Sequence, residues 1–143
     1  MESIFQSRPS YTLGLKTWCC FLTAFLIFGV NASTPLISIK LIPESPMVGG
    51  QVVLTPSYNG TMYNVYWYRA AGHALYEQNS ILAYNPEFNL THFGNNFSGR
   101  ETTYDDGSLK ITNLTFGDAG SYTVEITTAS DSVQATVQLT VSA

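Results

Sequence analysis

From residue 37 onward, short runs rich in Val, Ile, Thr and Tyr recur, separated by Gly, Pro, Asn and Asp, and no helix-period segment stands out. Runs of this length with alternating apolar and polar positions read as half-buried β-strands, and their close spacing predicts an all-β, two-sheet sandwich. Residues 37–42 form a first strand, closed by Pro43 and Pro46. Gly49-Gly50 opens a second, residues 51–55, with Val52 and Leu54 on one face. Residues 63–69 give the most informative strand. Val65, Trp67 and Arg69 share one face and Tyr66 and Tyr68 the other, because side chains alternate across a strand. Leu75-Tyr76-Glu77 and residues 81–84 predict two further strands, and the asparagine-rich stretch 85–98 a polar loop. Gly99-Arg100-Glu101 opens the next strand, followed by strands over 109–114, 122–127 and 134–141, the last with Ala135, Val137, Leu139 and Val141 inward.

The pattern changes before residue 37. Arg8 and Lys16 precede a continuous apolar run from Cys19 to Val30, which has the length of a signal-peptide core and is too short to span a bilayer. Val30-Asn31-Ala32 supplies small residues for cleavage after Ala32. Residues 1–32 are therefore expected to be a signal peptide and residues 33–143 a single domain. Both cysteines, Cys19 and Cys20, leave with the signal. A secreted domain without cysteine must hold together by its core, since small extracellular domains commonly rely on disulfides. No second apolar run follows, so the expectation is a secreted chain, or one displayed outside the plasma membrane as part of something longer.

Charge and candidate chemistry narrow the function. Beyond residue 32 the chain carries four basic residues (Lys40, Arg69, Arg100, Lys110) against nine acidic ones, a balance that excludes nucleic acid and anionic membrane as partners. His73 and His92 are isolated, and no carboxylate pair has acid–base or metal-ligand spacing, so neither an enzyme, a metal, a cofactor nor a small-molecule substrate is expected. Asn-x-Ser/Thr acceptors stand at Asn59, Asn89, Asn96 and Asn113, with Asn31 lost on cleavage. Behind a signal peptide, four acceptors predict a glycoprotein.

Gly117-Asp118-Ala119-Gly120-Ser121-Tyr122 carries the Asp-x-Gly-x-Tyr signature of the corner between strands E and F in an immunoglobulin sandwich, where the tyrosine hydroxyl bonds back to the chain upstream. In antibody domains a cysteine follows two positions later; here it is Val124, and the strand-B cysteine position holds Pro56. Trp67, 11 residues after Pro56, matches the central strand-C tryptophan, and the extra strand pair after it marks the variable (V-set) type without the inter-sheet disulfide. Arg100 and Asp118, 18 residues apart, are expected to pair across the bottom of the domain.

With Val65-Tyr66-Trp67-Tyr68-Arg69, Ser98-Gly99-Arg100-Glu101, Tyr104, Ser108-Leu109 and Asp118-x-Gly120-x-Tyr122-Thr123 in place, the chain resembles the N-terminal domain of the carcinoembryonic-antigen-related cell adhesion molecules, the CEACAM family. The hepatic cell adhesion molecule and the SLAM group have similar bridge-less first domains. The resemblance implies recognition through the sheet of strands G, F, C, C′ and C″, by the same molecule in a weak homodimer, by an immunoglobulin-family relative, or by bacterial adhesins. Carried across by position, the contact candidates are Tyr63, Tyr66 and Tyr68 on strand C, Gln78 near C′, and Glu125 and Thr127 on strand F. Alternation independently places Tyr66, Tyr68, Glu125 and Thr127 on the outer face. A soluble decoy built from the same domain is the alternative reading.

Overall fold

Among the described residues, nine strands form two antiparallel sheets. The computed structural model describes residues 37–143 except His73; the segment read from the sequence as a signal peptide, with Arg8, Lys16, Cys19, Cys20 and Asn31, lies outside the described residues. The strands are β1 (Ile39–Ile42), β2 (Val52–Pro56), β3 (Asn64–Tyr68), β4 (Ser80–Asn85), β5 (Leu90–Phe93), β6 (Glu101–Thr103), β7 (Leu109–Ile111), β8 (Gly120–Thr127) and β9 (Ser132–Leu139). One sheet has the order β1-β2-β7-β6 and the other β5-β4-β3-β8-β9. This is the all-β, V-set immunoglobulin sandwich.

Two elements differ from the sequence reading. The segment Leu75-Tyr76-Glu77 is not strand C′: a single-turn 3-10 helix, Glu77–Asn79, occupies this connection. C′ is β4, the stretch expected to be C″, and C″ is β5, inside the segment expected to be a polar loop. The physical cause is a bulge. Trp67 pairs with Leu82 but Tyr68 with Ser80, so Ile81 is the extra residue in β4, and both Ile81 and Leu82 are buried. A doubled apolar pair breaks the period-two pattern and hides where the strand starts.

The core sits between the sheets. Val52, Leu54, Val65, Trp67, Leu82, Leu109, Val124, Ile126 and Leu139 are fully buried, and Ala135, Val137 and Val141 pack against them. Trp67 lies at the centre, and its indole Nε1 donates to the Gly107 carbonyl at 2.9 Å. Gly107 takes a positive φ of 82°, a conformation that glycine adopts without strain. Pro56 closes β2, where its missing N–H ends the ladder, and it is buried. Val124 pairs with Trp67 across β8 and β3. The two half-cystine positions thus hold buried apolar residues. Each fully buried side chain of this size contributes about 1.5–3 kcal/mol, against about 2–4 kcal/mol for a bridge, so packing of this kind offsets the missing bond.

The corner at the start of β8 locks the two sheets together. The Tyr122 hydroxyl donates to the Asp118 carbonyl at 2.6 Å. Arg100 Nη1 and Nη2 donate to Asp118 Oδ2 and Oδ1 at 2.8 and 2.7 Å. Asp118 also accepts from the Thr115 N–H at 2.8 Å, closing the turn that precedes it. Arg69, the last inward position of the β3 run, places its guanidinium 5.7 Å from the Tyr122 ring centroid and donates to the carbonyls of Gly117 and Ala119. No buried side-chain nitrogen or oxygen lacks a partner among the described residues.

Candidate recognition face

The outer face of the five-stranded sheet follows from register. Reading across β5, β4, β3, β8 and β9, one row is His92, Ala83, Tyr66, Glu125 and Gln134. A neighbouring row carries Ser80, Tyr68, Thr123 and Thr136, and on the other side Asn64, Thr127 and Ser132 continue it. Inward positions of the same strands, Val65, Trp67, Val124 and Ile126, are fully buried, so the alternation leaves these outer residues as the sheet's free surface.

Tyr66 and Tyr68 lie on the same strand two residues apart, and their rings stack with centroids 6.5 Å apart and an interplanar angle of 24°. A stacked pair on a rigid strand offers contact area with little side-chain freedom left to lose. Partial burial, then the negative charge of Glu125 and the neighbouring Tyr66, hold the Tyr68 phenol above its usual value. Glu125 accepts from Gln134 Nε2 at 2.8 Å, which aims the carboxylate along the face. Thr123 is buried although it belongs to the outer side: its hydroxyl donates to the Ala70 carbonyl at 2.6 Å and meets Thr136 Oγ1 at 2.8 Å. The β3–β4 connection therefore folds over that end of the sheet.

The structure gathers Tyr66, Tyr68, Glu125 and Thr127 on this face and sets two other candidates apart. Tyr63 precedes β3 and has the opposite parity to Asn64. Its N–H continues the ladder to the Thr127 carbonyl at 2.9 Å, while its side chain is exposed and lines a cleft of about 650 Å³ with Tyr58, Met62, Glu87, Asp105 and Asp106. Gln78 sits in the 3-10 helix rather than on C′, exposed, with its carbonyl accepting from Asn96 Nδ2 at 2.9 Å. Residues of the face that sequence reasoning missed are Ala83, His92, Gln134 and Thr136. The alternation in β9 marked Gln134 and Thr136 as outward, but without the β8–β9 register nothing tied Gln134 to Glu125.

None of the four glycosylation acceptors lies on β3, β8 or β9. Asn59 is in the β2–β3 connection, Asn89 immediately precedes β5, Asn96 follows it, and Asn113 lies between β7 and β8. Asn89 and Asn113 take left-handed φ values of 49° and 48°, which asparagine tolerates in turns. Among the described residues, no three His, Cys, Asp or Glu side chains group to hold a metal ion.

Residues 47–142 match the immunoglobulin V-set domain. The chain belongs to the immunoglobulin V-set family. Within it the likeness is to CEACAM proteins. Mouse CEACAM18, a cell adhesion molecule, is 36% identical over 134 residues, covering 91% of this chain and 34% of that protein. The solved structure of murine CEACAM1b superposes with a TM-score of 0.69 at 30% identity, covering 74% of this chain and 53% of that one. A murine receptor solved in complex with a mouse coronavirus receptor-binding domain gives a TM-score of 0.66 at 28% identity, over 74% of this chain and 53% of that chain. The chain spans less than half the length of the curated relatives it matches. The relatives it matches include cell adhesion molecules, not enzymes.

Proposed function

We propose that this chain is an extracellular recognition module, delivered by a signal peptide cleaved after Ala32, that binds a second copy or a related immunoglobulin-family protein through the outer face of β3, β8 and β9. The observation that carries the reading is the stacked Tyr66–Tyr68 pair beside the Glu125–Gln134 bond, on a face free of glycosylation acceptors. Tyr66 and Tyr68 are half-buried; aromatic residues on a flat, rigid sheet are favourable contact residues, and a partner gains by removing their remaining exposed area from water. Glu125 adds direction, because a partner donor must meet its carboxylate in register with the tyrosines.

The murine receptor bound to a coronavirus domain supports protein partners of more than one origin for a domain of this shape. For this chain, a second copy or a related immunoglobulin-family surface protein is the partner class we favour, with microbial surface proteins, bacterial adhesins included, as competitors for the same tyrosines. The test is a binding screen of the glycosylated domain against itself and a panel of immunoglobulin-family ectodomains, repeated with Tyr66→Ala and Tyr68→Ala. Specific binding lost in both variants supports the reading. Binding unchanged in both variants contradicts it.

A further inference from the structure

The sheet that carries the recognition face ends in two edge strands of opposite character. β9 exposes Gln134, Thr136 and Gln138, a polar edge. β5 is apolar. Leu90 is 48% exposed and Phe93 is 60% exposed, with Phe88 just before the strand 71% exposed. Phe93 stacks on Phe97 at a centroid distance of 4.0 Å, forming an aromatic plate beside the edge. An exposed apolar edge strand is a template for pairing with another chain, and folded proteins cover or blunt such edges. β5 carries no lysine or proline to do so.

It is bracketed by acceptors instead. Asn89 stands immediately before the strand and Asn96 in the turn that follows it. Asn89 is exposed, with its carbonyl oxygen 3.3 Å from the Tyr84 hydroxyl. Asn96 is held where the chain still follows β4, its N–H bonded to the Ser80 carbonyl at 2.8 Å and its Nδ2 to the Gln78 carbonyl at 2.9 Å. A glycosylated amide keeps one N–H, so attachment at Asn96 still leaves it a donor beside the Gln78 carbonyl.

We infer that N-linked glycans on Asn89 and Asn96 are the cover of the β5 edge. Sugar rings present C–H faces that pack on exposed aromatic rings, and their hydroxyls replace an apolar rim with a hydrated one. Two bulky substituents flanking four residues of strand also bar a second chain from laying a strand along them. The inference rests on entry into the secretory pathway and not on any partner of the Tyr66–Tyr68 face.

The experiment uses the full chain expressed in mammalian cells, with site occupancy read by mass spectrometry. Wild type is compared with Thr91→Val plus Asn96→Gln, which removes both acceptors, and with Asn59→Gln as a control. Wild type is expected to be occupied at both sites and silent with a fluorescent dye for apolar surface. The double variant is expected to bind the dye and sediment as aggregate, and added Phe93→Ser to reverse both. Should the double variant fail to fold, amidase removal of the glycans from folded wild type reads the same surface. An empty acceptor at Asn89 or Asn96 in secreted wild type, or a stripped protein as dye-silent and monodisperse as wild type, overturns the inference. Loss of binding by the tyrosine variants is a separate readout, so failure here leaves the recognition face standing or falling by itself.

Discussion

Arg100 grips Asp118 through two parallel N–H···O bonds of 2.8 and 2.7 Å, while the main-chain carbonyl of the same Asp118 receives the Tyr122 hydroxyl. One residue therefore joins β6, the turn before β8 and the corner tyrosine. Its carboxylate is 4% exposed, so removing the guanidinium would leave a buried charge. A charge-assisted fork of this kind is worth more than an exposed pair. Arg100→Ala is expected to destabilise by roughly 2–3 kcal/mol, measured as a lowered denaturation midpoint.

The fork also sets an acid limit. Arg100's hydrogen bonds, with help from Thr115 and against the cost of burial, hold the Asp118 carboxyl below its ordinary 3.8. A depressed folded value means the stabilisation is complete above that ordinary value and is lost as pH falls through the lower folded one. Wild type should lose stability on acidification below about pH 4, and Asp118→Asn should flatten that part of the profile. Parallel acid profiles for the two proteins would show that the pair carries no linkage.

At the other end of the scale, burial pushes the Tyr122 phenol up to about 12 from 10.0. The folded state then keeps a proton that the unfolded state loses. The resulting stabilisation is present below pH 10 and disappears as pH rises toward 12. Tyr122→Phe should cost about 1 kcal/mol at neutral pH through the lost bond to Asp118 and should remove this alkaline slope. Urea denaturation at several pH values checks both.

Trp67 and Gly107 form the other long-range tie. Trp67→Phe leaves the Gly107 carbonyl buried without its donor and opens a gap at the centre of the core, an expected loss of roughly 2–4 kcal/mol. Gly107→Ala forces a side chain into a φ of 82° and against Met62 Sδ at 3.2 Å. It should cost about 1–2 kcal/mol while leaving the fold intact. Chemical denaturation of both variants separates the two effects.

The tyrosine corner, the central tryptophan, the bridge-less strand pair and the inward positions of β9 were legible in the sequence because each rests on local spacing or period-two alternation. The C′ and C″ strands were not. The bulge at Ile81 doubled an apolar position, and β5 is an edge strand whose pairing partner, not its own composition, makes it a strand. Of the recognition face, Tyr66, Tyr68, Glu125 and Thr127 could be assigned to one side by parity alone. Tyr63 has the parity of Val65 and Trp67, so alternation sets it apart from that side and only the family resemblance made it a candidate, while Gln134 needed the β8–β9 register. Gln78 lay in a helix turn that no alternation signals.

The central claim is that the Tyr66–Tyr68 face binds protein. Sedimentation velocity of the glycosylated domain over a concentration series, for wild type, Tyr66→Ala and Tyr68→Ala, tests it most directly. The account predicts reversible self-association of wild type, weakened by more than about 1 kcal/mol in each variant, with unchanged folding by circular dichroism. Self-association identical in all three proteins would place the contact elsewhere and contradict it.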